Sequence, residues 1–121
     1  MTPFGRRLRE LRAERSILMK DMALALGVSS AYLSALEHGN RGRPSSGLVQ
    51  QISAYFNLAW DDVDELKRLA ELSHPRVVVD TAGLSPKATE LANRLAEAIG
   101  ELSEGTVEEI LDRLPRKSSD R

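Results

Sequence analysis

A chain of 121 residues with 17 basic and 18 acidic side chains suits one domain plus an appendage, or two very small domains. The absence of cysteine excludes disulfides and thiol chemistry and fits a reducing, cytoplasmic compartment. No run of 18 apolar residues exists and MTPFGRRLRE lacks the apolar core of a signal peptide, so neither a membrane span nor a membrane partner is expected.

Phe4, Leu8 and Leu11 recur at helical spacing and predict a first helix over residues 4–15, with Arg6, Arg7, Arg9 and Arg12 on much of its remaining surface. A second helix is expected over residues 19–26 and a third over 30–38, ended by Gly39. Residues 39–47, with three glycines, a proline and two arginines, read as a loop. Ser45 or Ser46 then caps a fourth helix to about residue 56, buried through Leu48, Ile52 and Tyr55 or Phe56. Asp61 is the expected cap of a fifth helix reaching about residue 72, with Asp64 and Arg68 as an i,i+4 pair and His74-Pro75 as its stop.

Residues 74–83 change character. Val77, Val78 and Val79 have no helical period and read as an extended connector packed on the domain or as a short strand pairing across a dimer. Ser85 and Pro86 open a sixth helix to about residue 102, apolar at Ala88, Leu91, Ala92, Leu95, Ala98, Ile99 and Leu102. Thr106-Val107-Glu108-Glu109 resembles a capping box for a last helix through Leu114, with Ile110 and Leu111 on its apolar side. Pro115 stops it, and residues 115–121 are expected to be a frayed tail.

The most specific signal is MKDMALALGVSSAYLSALEH, residues 19–38. Met22 to Leu26 and Leu33 to Leu36 give each of two short helices one buried stripe. Between them Gly27 can take the left-handed conformation and Ser29 can cap the following helix. Together these features spell a helix-turn-helix, the unit with which many repressors enter the major groove. Charge agrees with that reading. Residues 1–60 hold 8 Lys/Arg against 4 Asp/Glu, and residues 61–121 hold 9 against 14, a basic front that attracts phosphate and an acidic back.

At this point the chain resembles the XRE family of Cro/lambda-repressor-like regulators. The likeness covers roughly residues 4 to 70, through LRELRAERS, KDMALALGVSSAYLSALEHG, a basic loop, LVQQISAYFNL and WDDVDEL. It implies a five-helix DNA-binding domain, here residues 1–73; with the residue-level reading of the rest, the chain is expected to be all-α, with a connector over 74–83, a helical dimerisation region over 84–114 and a tail. It also implies that Arg12 pairs with Glu37 at the end of the recognition helix. Leu18 and Met19 stand where members usually carry a Thr-Gln or Ser-Gln pair, so no side-chain phosphate contact is implied there.

Ser29, Ser30, Ala31, Ser34 and Ala35 are the candidates for closeness to base edges. Serine can donate or accept, alanine can touch a thymine methyl, and neither offers bidentate pairing, so readout is expected to lean partly on DNA shape. Tyr32, His38, Asn40, Arg41 and Arg43 are the phosphate candidates. Leu91, Leu95, Ile99, Leu102, Ile110, Leu111 and Leu114 form the expected dimer surface. No glycine-rich phosphate loop or metal-ligand motif is present, so no enzyme activity, metal or other cofactor is expected. The reading is a cytoplasmic, homodimeric transcriptional repressor on double-stranded DNA. Its rivals are an antitoxin-like module whose acidic helices hold a partner protein, and an RNA binder, which the scarcity of aromatics disfavours.

Overall fold

The computed structural model describes residues 1–117, so residues 118–121 of the expected tail lie outside the described residues. The described chain is all helical and divides into two units, residues 1–76 and the segment from Val77 onward. The first unit holds α1 (Pro3–Glu14), α2 (Met19–Leu26), α3 (Ser30–Glu37), α4 (Ser46–Tyr55) and α5 (Trp60–Glu71). The second holds α6 (Pro86–Ala98), one 3₁₀ turn (Ile99–Glu101) and α7 (Glu104–Arg113).

Side chains cap α1, α3 and α4, and the start of α5 differs from expectation. Thr2 caps α1 by accepting from the Gly5 N–H at 3.0 Å, with Pro3 preset for the first turn. Ser45 caps α4 by accepting from Leu48 N–H. Helix α5 begins one residue before Asp61: Ala59 is its cap residue, without a side-chain bond, and Asp61 and Asp62 lie inside the first turn. There they still suit the positive end of the helix dipole. Arg68 reaches Glu71 at 3.1 Å.

The apolar stripes of these five helices meet in one core. Phe4, Leu8, Leu11, Met22, Leu33, Leu36, Ile52 and Leu66 are all at most 1% exposed. Val49 and Phe56 are buried beside them, while Tyr55 is half-buried. Ser73 closes the unit over a separation of 69 residues, its hydroxyl accepting from the Phe4 N–H at 2.9 Å.

The second unit is different. Val77, Val78 and Val79 are exposed rather than packed, and no strand occurs among the described residues. Ser85 caps α6 as expected, but the α-helix ends at Ala98 and continues as a single 3₁₀ turn to Glu101. The last helix opens three residues earlier than the Thr106 capping box suggests. Ser103 is the cap and accepts from Thr106 N–H at 3.2 Å, so Gly105 lies within the first turn. Neither α6 nor α7 contains a buried residue.

Candidate nucleic-acid interface

Helices α2 and α3 are joined by a three-residue turn. Gly27 ends α2 at φ 72°, a left-handed conformation that a side chain would strain. The Val28 N–H then bonds back to the Ala23 carbonyl. Ser29 opens α3 by accepting from Tyr32 N–H at 3.0 Å. The Ser29 side chain is therefore occupied as a cap, although the residue is exposed.

The faces of α3 divide sharply. Leu33, Leu36 and Glu37 point inward and are buried. Ser30, Ala31 and Ser34 are exposed, giving a low outer surface. Ala35 departs from the expected exposed position: it is half-buried, because its step along the helix turns it toward one flank. Tyr32 is also half-buried, packing against the core and lining an open groove with Val28, Ser45, Gly47, Leu48 and Gln51.

Helix α3 ends at Glu37, with His38 as its cap residue. His38 Nδ1 lies 2.8 Å from the Ser34 carbonyl oxygen. A carbonyl only accepts, so this contact holds the proton on Nδ1 and leaves Nε2 for another partner. Asn40, Arg41 and Arg43 follow, all exposed. Among the described residues neither arginine forms an ion pair.

The far end of α3 is anchored on α1. Arg12 Nη2 donates to Glu37 Oε2 at 3.0 Å, and the glutamate is fully buried. Arg9, a turn earlier, brings Nη2 to 3.7 Å from Glu37 Oε1, an oxygen with no hydrogen-bond partner among the described residues. Arg7 of α1 and Arg15 at its C-cap have separate tasks. Arg7 faces Glu10, Glu14 and Glu65 at 3.5–3.7 Å, and Arg15 lies over the Phe56 ring at 5.2 Å.

Two contributors to this anchor, and the tie from Ser73 to Phe4, escape a reading of the sequence. The Thr2 N–H donates to the Glu37 carbonyl at 3.0 Å, and the Thr2 hydroxyl lies 3.3 Å from the same oxygen. Gly5 lets the two helices touch, since a Cβ there would overlap the Glu37 carbonyl and lie 2.6 Å from its Cα. The available signal is a glycine inside an otherwise side-chain-rich helix, which costs helical stability unless a close crossing requires it. Ser73 gives no local signal.

In the second unit, Leu91, Ile99, Leu111 and Leu114 are 53–64% exposed, while Leu95, Leu102 and Ile110 are half-buried. All seven belong to the expected dimer surface. No helix among the described residues is long and apolar enough to cross a membrane.

Comparisons with known proteins bear on the first unit. A family model described as Helix-turn-helix matches residues 8–63. The chain is 35% identical over 63 residues to the uncharacterized HTH-type transcriptional regulator RghRB of Bacillus subtilis (strain 168), covering 52% of this chain and 45% of that protein. It is 33% identical over 61 residues to the HTH-type transcriptional repressor RghR of the same organism, again covering 45% of the relative. With the uncharacterized HTH-type transcriptional regulator YazB, also from that organism, it shares 33% identity over 60 residues, 86% of YazB. The matched segment thus spans just under half of RghRB and RghR.

Proposed function

The chain belongs to the XRE-type helix-turn-helix family, and from that premise we propose that it is a homodimeric repressor reading sequence in double-stranded DNA. The observation that carries the reading is the outer face of α3. Ser30, Ala31 and Ser34 leave it low enough to approach base edges, with Ser29 and Ala35 at its margins. Arg41 and Arg43, exposed and without protein partners among the described residues, are suited to gripping phosphate beside it. Asn40, the Tyr32 hydroxyl and His38 Nε2 join that grip. Repression follows by analogy with RghR, from occupancy of a site that another protein would use.

Dimerisation accounts for the second unit. Helices α6 and α7 carry an apolar stripe through Leu91, Leu95, Ile99, Leu102, Ile110, Leu111 and Leu114, none of it fully buried and four of the seven exposed. A second copy supplies the missing surface and sets two recognition helices about 34 Å apart, one DNA turn. A rival reading, in which this surface holds a different protein, draws on residues 95–112, which carry six acids and neither Lys nor Arg. Co-sedimentation with a second protein at the expense of the self-associated form would favour it.

The test is selection of bound duplexes from a random pool, repeated with Ala31→Glu. A palindromic motif is expected from the natural chain. The variant should retain its melting temperature and lose that motif, because a carboxylate there meets phosphates and base acceptors. Unchanged enrichment by Ala31→Glu would remove α3 from recognition.

A further inference from the structure

One segment has no task in the account so far: Arg76-Val77-Val78-Val79-Asp80. Residues 77–81 run without helix, turn or bend, and the three valines are 69%, 93% and 65% exposed. Among the described residues, no hydrogen bond engages the backbone N–H or C=O of Val77, Val78 or Val79, and the Thr81 carbonyl accepts from Leu84 N–H. Local bonds bound the segment: the Arg76 N–H donates to His74 Nδ1 at 3.3 Å, and Asp80 Oδ1 accepts from the Ala82 N–H at 2.9 Å. Consecutive β-branched residues favour a strand, and a strand with unpaired backbone is a template for another chain.

The charges select which chain that is. Arg76 and Asp80 stand two residues either side of Val78 with opposite sign. When a second copy lies antiparallel with Val78 opposite its equivalent, Arg76 faces the partner's Asp80, and Asp80 faces the partner's Arg76. A parallel register sets like charges beside each other, which is unfavourable. The two-residue period then sorts the faces. Val77 and Val79 with their copies make a face of four valines. The opposite face carries the Val78 pair between two ion pairs.

We propose that residues 76–80 of two copies pair as an antiparallel ribbon whose two-fold axis passes through Val78, forming part of the dimer interface. The inference rests on the homodimer proposed above, because two short strands alone are marginal in water.

Thiol crosslinking of the full chain tests it, since the chain has no cysteine of its own. Directly opposed residues have Cα atoms about 4.5–5.5 Å apart, within disulfide reach, whereas diagonal neighbours lie about 7–8 Å apart. Under mild oxidation Val78→Cys should therefore crosslink on the order of tenfold faster than Val77→Cys or Val79→Cys alone. In an equimolar mixture of the last two, the mixed dimers, about half of the total by random pairing, should crosslink as readily as Val78→Cys. In sedimentation, Arg76→Asp should weaken the dimer, and Arg76→Asp combined with Asp80→Arg should restore it. Equal crosslinking at all three positions, in a chain that still sediments as a dimer, would overturn the ribbon and spare the dimer. A natural chain that is monomeric at micromolar concentration would overturn both.

Discussion

Helix α1 carries Phe4, Leu8 and Leu11 at no more than 1% exposure, whereas α6, with an apolar stripe of similar regularity, buries no side chain at all. The helices differ in what lies opposite. The stripe of α1 faces α3 and α5, both within its own unit. That of α6 meets the following 3₁₀ turn, and no residue of α6 or α7 is buried. Amphipathic spacing therefore identifies the face that requires cover and leaves the cover unspecified. In residues 1–76 the chain supplies it; in the second unit the cover is proposed to be another copy.

Perturbations of the first unit should have the largest effects. Arg12→Ala strands the fully buried Glu37 carboxylate and should cost about 3 kcal/mol, read as a shift in denaturant midpoint at unchanged slope. A double-mutant cycle with Glu37→Ala should recover part of that loss as coupling; no coupling would show that the anchor lies elsewhere.

Gly5→Ala should follow at about 2 kcal/mol, because the added methyl meets backbone rather than a side chain that can yield. An unshifted melting temperature would mean that α1 slides freely on the end of α3.

Leu95→Asp probes the opposite case. It should leave unfolding of residues 1–76 unchanged and abolish the concentration dependence of unfolding of the rest, yielding a folded monomer with weak half-site binding. Global destabilisation would mean that the second unit is covered from within the chain. The mildest change is Arg43→Ala. Stability should move by less than about 0.5 kcal/mol, while the slope of log affinity against log salt should flatten by about 0.9. An unaltered slope would exclude Arg43 from the phosphate grip.

Legibility in the sequence tracks how local each determinant is. The α2–turn–α3 unit is readable to the residue at Gly27 and Ser29, since a left-handed stop and a hydroxyl cap act within three residues. Ser85-Pro86 is readable for the same reason. The start of helix α5 is less legible, because Ala59 has no capping side chain and Asp61, two residues on, looks like the cap. The start of helix α7 is less legible, because the Thr106 capping box competes with Ser103, which caps the helix. The extent of α3's outer surface was legible apart from Ala35, whose burial depends on which neighbour it turns toward. The anchor was half legible. Arg12 and Glu37 follow from the family resemblance, while Thr2, Gly5 and Ser73 act across separations of 32 to 69 residues that no local pattern encodes.

The bond from the Thr2 N–H to the Glu37 carbonyl has a practical consequence. Amide protons near a chain terminus ordinarily exchange with solvent deuterium within seconds, because fraying exposes them. Here the Thr2 N–H is bonded to the last turn of α3, so its protection is expected to report opening of the contact between the start of α1 and the end of α3. A single resonance thus serves as an intrinsic gauge of how firmly α3 is seated on α1, and requires no label on the surface proposed to face DNA.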